Sequence, residues 1–165
     1  MTVVATPVAM RQLGERVAAE VRQGDVVVLI GDVGAGKTTF VQGFAAALGV
    51  AEAVTSPTFV IARQLRGRDL TVQHVDVYRL PEPAHFWDLD LDLAGTVTVV
   101  EWGAELLATL TDEPVLVVRI TRDLPGTART DGIDPRDVEI AGSPGRWPAA
   151  VLARMTGEPI EASAG

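Results

Sequence analysis

The sequence predicts an α/β fold with a largely parallel central sheet, flanking helices and a β-hairpin extension. Three observations predict it. Apolar strand-like runs alternate with helical repeats along the chain. The run Val26 to Ile30 is continuous and β-branched, as in strands buried on both faces. A glycine-rich break then joins that run to an alanine-rich helical stretch. The 165 residues are 47% hydrophobic and 22% charged, enough apolar material for a core, which excludes intrinsic disorder for most of the chain. We read residues 1–156 as a single domain and residues 157–165 as a tail expected to be disordered.

Each element has its own signal. Thr6 and Pro7 are suited to an N-cap and a first helical residue, and Met10, Leu13, Val17 and Val21 recur at helical spacing until Gly24, which predicts a helix over Pro7 to Gln23. The buried strand Val26 to Ile30 leads through the glycines to a helix over Lys37 to Leu48, closed by Gly49. Phe59 to Leu65 and Leu70 to Tyr78 predict a hairpin turning at Gly67. A polar helix over Glu82 to Leu93 follows. The strand Thr96 to Val100 ends at Glu101, and a short helix covers Ala104 to Leu110. Pro114 to Thr121 is a third apolar strand with its proline at the first position, which strands tolerate. Arg122 to Arg136 reads as a loop, Asp137 to Ala141 as an edge strand and Trp147 to Met155 as a last helix.

Charge and composition narrow the function classes. With 14 basic and 22 acidic residues the formal net charge is −8, which repels phosphate backbones and anionic lipid. The short group Arg63, Arg66 and Arg68 is the best candidate for a local basic patch, and as readily a solvated turn. The absence of cysteine removes disulfides, thiolate metal sites and cysteine nucleophiles together. No apolar run reaches the roughly 18 residues of a membrane span, and the first residues lack the pattern of a signal peptide, so the expectation is cytoplasmic.

Gly31-Asp32-Val33-Gly34-Ala35-Gly36-Lys37-Thr38 satisfies G-x-x-x-x-G-K-S/T at every fixed position and lies between a buried strand and a helix, as a phosphate-binding loop requires. Glycines let such a loop wrap a phosphate with its N–H groups inward, and the following helix adds free N–H groups and the positive end of its dipole. The expected nucleotide contacts are Gly31, Asp32, Val33, Gly34, Ala35, Gly36, Lys37, Thr38 and Thr39. Lys37 reaches toward the β and γ phosphates, and the Thr38 hydroxyl is offered to Mg²⁺. Lys37 is also the only lysine in a chain that otherwise uses arginine. The loop and its context predict a P-loop NTPase fold.

Hydrolysis also needs an acid near the metal and a group that orients water. Glu101, at the end of the run Val97 to Val100, is delivered to the carboxyl edge of the sheet where ligands bind in open α/β folds. His74, Asp76 and Tyr78 alternate with Val75 and Val77, so period two puts the three polar side chains on one face. Asp76 then either holds a metal-bound water or orients the nucleophile, or it lies on the solvated face of a hairpin. A metal site built from His74 and His85 lacks ligand-like spacing. Thr58, in Thr55-Ser56-Pro57-Thr58-Phe59, stands where nucleotide switches carry a γ-phosphate sensor, and a Ser-Pro turn explains the segment equally well.

In chain order, GDVGAGKTTF, TSPTF, HVDVYRL and VEWG resemble the TsaE (YjeE-type) family, over about Leu13 to Glu105 and more weakly to about Val138. The resemblance implies a cytoplasmic ATPase using ATP and Mg²⁺. Such a protein acts with a two-subunit threonylcarbamoyl-transferase complex to modify adenosine beside the tRNA anticodon, reaching tRNA only indirectly, without DNA or membrane. It further implies that Thr38 and Glu101 bind Mg²⁺, that Asp76 is needed for activity and that Thr58 is the switch contact. Trp102 matches the family tryptophan after the acid, and Arg136 matches a family arginine near the last strand. After Leu80 this chain reads PEPAHFWDLDLDLAG where the family has a glutamate-rich helix, so that helix's partner contact does not carry over.

The leading expectation is ATP hydrolysis, catalysed through Lys37, Asp76 and Glu101 and slow without a partner. A nucleotide-dependent docking switch and a small-molecule kinase are the alternatives.

Overall fold

The computed structural model describes residues 1–55, 61–122 and 135–157. Seven strands form one sheet: β1 (Thr2–Val4), β2 (Val26–Ile30), β3 (Ala62–Arg66), β4 (Thr71–Asp76), β5 (Val97–Glu101), β6 (Val115–Arg122) and β7 (Arg136–Gly142). Their spatial order is β1-β7-β6-β2-β5-β4-β3. The central strands β6, β2, β5 and β4 are parallel, and β7, β1 and β3 pair antiparallel at the flanks. This is the expected α/β architecture with its hairpin, β3 and β4.

Period two divides the sheet's side chains between two cores. Val27, Leu29, Val99, Leu116 and Val118 face the helices α1 (Pro7–Ala18), α2 (Lys37–Ala47) and α3 (Ala149–Thr156). Val26, Val28, Ile30, Val75 and Val100 face the other way, under Phe86, Leu106 and Leu110 from two 3-10 segments, Pro83–Leu89 and Glu105–Thr109. Helices therefore cover one face and short turns the other.

Gly14 and Gly43 explain how α1 seats on α2. A Cβ on Gly14 would run into the Phe40 carbonyl, and one on Gly43 into the Arg11 carbonyl, so the two backbones touch where side chains would separate them. Met10, Leu13 and Val17 fill the rest of the seam.

Several boundaries differ from expectation. The first helix stops at Ala18, five residues before Gln23. The following segment is drawn onto the sheet, where the Asp25 carboxylate accepts from Arg22 N–H (2.7 Å) and Gly24 N–H donates to Thr96 carbonyl (2.9 Å). The Thr6 cap is as expected, its hydroxyl accepting from Ala9 N–H. The two segments read as helices after β4 and β5 are 3-10 turns, each with a single buried side chain, Phe86 and Leu106. One anchor gives no continuous apolar stripe to hold an α-helix. β7 is not an edge strand: β1 pairs outside it, with Val3 opposite Asp137. Three residues are too few for β1 to show a period.

Tyr78 does not share the face of His74 and Asp76. The strand ends at Asp76, whose carboxylate accepts from Tyr78 N–H (3.0 Å) and so caps a 3-10 turn over Val77–Arg79. Nor is the polar face of β4 solvated, since His74 and Asp76 are both buried. The hairpin's Arg63 pairs with Glu52 at 3.3 Å, which compensates part of the arginine group. The switch candidate Thr58, most of the 122–136 loop and the tail beyond Gly157 lie outside the described residues.

Candidate functional site

The strand β2 runs into the loop Gly31 to Gly36, and α2 begins at Lys37. Gly34 and Gly36 take φ of 77° and 112°, in the left-handed region that L side chains avoid. Those two angles turn the chain back on itself, so the loop wraps the start of α2. Ala35 is buried beneath the loop, whereas Val33 is exposed at its rim.

Lys37 folds back under the loop. Its Nζ donates to the carbonyls of Gly31 (2.7 Å) and Asp32 (3.0 Å) and sits 3.6 Å from the centroid of the Trp102 ring, a cation–π distance. Burial pulls the Lys37 pKa below its ordinary 10.5, and the Glu101, Asp76 and Asp32 carboxylates oppose that shift. The ammonium is thus partly desolvated and held ready beside the loop.

The acids arrive from the sheet. In parallel register Asp76 of β4 lies opposite Glu101 of β5, and period two turns both side chains to the α2 face. Their exposures are only 4% and 2%. The Thr38 hydroxyl, in the first turn of α2, faces Glu101 Oε1 at 3.5 Å. On the other side His74 Nε2 lies 2.8 Å from the same oxygen. Trp102 follows with φ of 66°, which folds the chain sharply after the acid and lays the indole against Tyr78, ring centroids 5.0 Å apart.

These residues enclose a cavity of about 390 Å³ lined by Val33, Gly36, Lys37, Thr38, Asp76 and Glu101, with Tyr78 and Trp102 at its aromatic wall. The loop, the Lys37 ammonium, the Asp76 and Glu101 carboxylates and the Thr38 and Thr39 hydroxyls line this one cavity. A second cavity of about 140 Å³ continues past Gly34, Gly36 and Thr39 to Thr6, Pro7, Met10 and Arg136. Arg136 reaches across from β7, donating to the Ala35 (3.1 Å) and Gly34 (3.3 Å) carbonyls.

The structure brings together Lys37, Thr38, Asp76 and Glu101 with the loop, and Thr39 lies where the two cavities meet. Three features were missed: His74 as a partner of Glu101, Tyr78 as a stacking partner of Trp102, and Arg136 as a clasp on the loop backbone. The only signal for His74 was its period-two placement with Asp76. Nothing local points from Arg136 to a loop 101 residues away.

Comparison with known proteins places the chain. The profile of the family described as Threonylcarbamoyl adenosine biosynthesis protein TsaE matches residues 4–130. The tRNA threonylcarbamoyladenosine biosynthesis protein TsaE of Streptomyces coelicolor is 42% identical over 153 residues, covering 90% of this chain and all of that protein. The protein of the same name from Bacillus subtilis is 38% identical over 113 residues, covering 68% of this chain and 72% of its own length. A crystal structure of Bacillus subtilis YdiB superposes with a TM-score of 0.68 at 26% identity, over 94% of this chain and 92% of the other. Strand–loop–helix geometry, a mostly parallel sheet centre and these matches agree: the chain belongs to the TsaE family, whose members are named for tRNA threonylcarbamoyladenosine biosynthesis.

Proposed function

We propose that this protein binds and hydrolyses ATP with Mg²⁺, and that it does so with a two-subunit threonylcarbamoyl-transferase complex during threonylcarbamoylation of adenosine in tRNA. The observation that carries the reading is the convergence of the loop, Lys37, Thr38, Asp76 and Glu101 on one cavity. The loop N–H groups and Lys37 neutralise phosphate charge, and Lys37 approaches as a point charge already turned toward the loop. The smaller cavity past Thr39 is the space for the nucleoside, bordered by Thr6, Met10 and Arg136.

The donors fit a hard divalent cation. Two buried carboxylates in adjacent register are costly unless a cation shares them. Among the described residues no three His, Cys, Asp or Glu side chains form a complete metal cage. A cation that keeps several waters and takes others from phosphate suits such a partial set. Thr38 and Glu101 would hold it, with Asp76 on the metal's water or on the attacking water. When bound, Mg²⁺ supplies charge stabilisation on the phosphate oxygens.

Steady-state ATP hydrolysis, measured alone and with the transferase pair, tests the proposal. The expected result is slow turnover alone, stimulation by the pair, and loss of both in Lys37→Ala and Glu101→Ala. A rate unchanged by Lys37→Ala would overturn the site; indifference to the pair would overturn the partner. A switch reading, in which nucleotide sets a docking conformation, draws on Trp102, which walls the phosphate cavity and also lines a third cavity with Ala104 and Arg119. That reading expects Glu101→Ala to dock normally and still support modification.

A further inference from the structure

His74 is fully buried, at 0% exposure, although it lies on a strand only two residues from the cavity wall. Its Nε2 is 2.8 Å from Glu101 Oε1, within the range of a strong hydrogen bond to a carboxylate. Its Nδ1 is buried with no hydrogen-bond partner. An unpartnered ring nitrogen in an apolar core costs free energy that a leucine or phenylalanine would avoid. The contact that compensates this cost is the one its other nitrogen makes.

Chemistry fixes the proton. A carboxylate oxygen only accepts, so a hydrogen bond to it at 2.8 Å puts the hydrogen on Nε2. The contact holds Glu101 by Oε1, the oxygen that Thr38 also faces. Among the described residues Glu101 Oε2 makes no hydrogen bond. A glutamate has three side-chain torsions, and a side chain free to rotate would lose that division between an anchored oxygen and an available one.

We infer that His74 is the positioning residue of the cation site, donating through Nε2–H to Glu101 Oε1 and so orienting the carboxylate's other oxygen toward a divalent cation. The inference rests on the proposed nucleotide–cation site. It is distinct from a role for His74 as a metal ligand, because the only nitrogen near Glu101 is the one that carries the proton. Outer hydrogen-bond partners of metal ligands typically account for about 10- to 100-fold in metal affinity or activity.

The test uses Mn²⁺ as the cation and ADP as the nucleotide, with Mn²⁺ binding followed by electron paramagnetic resonance. In His74→Leu the Mn²⁺ affinity of the ADP complex should fall about tenfold or more, while ADP affinity in EDTA stays at the wild-type value. His74→Gln, whose amide can replace the Nε2–H donor, should recover most of the loss. In the hydrolysis assay the Mg²⁺ requirement should rise in the same order. Equal Mn²⁺ affinity in wild type and His74→Leu would overturn the inference and leave the nucleotide site standing. Failure of the wild type to bind Mn²⁺ with ADP would overturn the site reading itself. A measurement that needs no variant covers the case in which His74→Leu does not fold: ring ¹⁵N shifts of the wild type should report the Nε2–H tautomer. A ring protonated on Nδ1 with Nε2 bare would refute the donor role.

Discussion

At the scale of single residues, Lys37 combines three constraints: two carbonyl acceptors, an indole face and a desolvating pocket. Because it is the only lysine in the sequence, amine-directed modification read by peptide mapping isolates it from the α-amino group. Its lowered pKa means that the neutral, reactive amine forms at lower pH than in an ordinary lysine. We expect a modification midpoint below 10.5 without nucleotide, moving upward with ADP as phosphate charge favours the ammonium. A midpoint at 10.5 or above in the free protein would contradict the desolvated geometry. The same shift has a consequence for folding. The unfolded chain binds the proton more tightly, so this group's contribution to stability increases as pH rises from the lowered value toward 10.5, and Lys37→Met should flatten that rise.

Arg136 acts on the loop backbone. Its two donated bonds to the Ala35 and Gly34 carbonyls tie the loop backbone to β7. Arg136→Ala should weaken ADP binding about tenfold, close to 1.4 kcal/mol, in calorimetric titration. Arg136→Lys should not restore it, since an ammonium lacks the planar fork that spans two carbonyls. Unchanged affinity in Arg136→Ala would show the clasp to be incidental.

At the scale of elements, the α1–α2 seam depends on two positions without side chains. Gly43→Ala introduces a Cβ into backbone atoms of Arg11, which cannot give way as a side-chain tip could. Overpacking of this kind costs about 1–3 kcal/mol. The expected outcome is a lower urea midpoint with an unchanged slope; a midpoint within error of wild type would mean the helices separate freely. Legibility differs among elements for similar physical reasons. The strands β2, β5 and β6 and helix α2 were visible because long apolar runs and the loop motif are local signals. The polar helix expected over Glu82 to Leu93 is a 3-10 turn over Pro83–Leu89, because only Phe86 in it is buried and one anchor cannot hold a longer helix. β1 went unseen because three residues carry no period, and its partner Val138 lies at the far end of the sequence.

At the scale of the whole molecule, charge and packing are unevenly distributed. Residues 80–118 contain eight acids and no lysine or arginine, so the rest of the chain is balanced and the net charge of −8 belongs to this stretch. The stretch includes both 3-10 segments that cover the second sheet face.

The C-terminal part is tied in by Arg146, which grips the fully buried Asp25 through two bonds of 2.8 and 2.6 Å and also donates to the Glu20 carbonyl. Its guanidinium lies 3.8 Å from the Trp147 ring centroid. Arg146→Ala leaves a buried carboxylate without its cation and should cost about 3–5 kcal/mol, read as a large drop in thermal midpoint. A loss below about 1 kcal/mol would place Asp25 in contact with water.

The sequence by itself determined the α/β class, the glycine loop between β2 and α2 and the acid at the end of β5, because each is written in consecutive residues whose spacing is also their geometry. It determined Asp76 only as one of two alternatives. Tertiary structure decided between them: parallel pairing of β4 with β5 sets Asp76 beside Glu101, and α2 closes over both. It also decided the His74 contact and the Arg136 clasp. Those depend on which strands are neighbours in the sheet, and neighbour choice follows from burying whole faces together rather than from any residue's own surroundings in the chain.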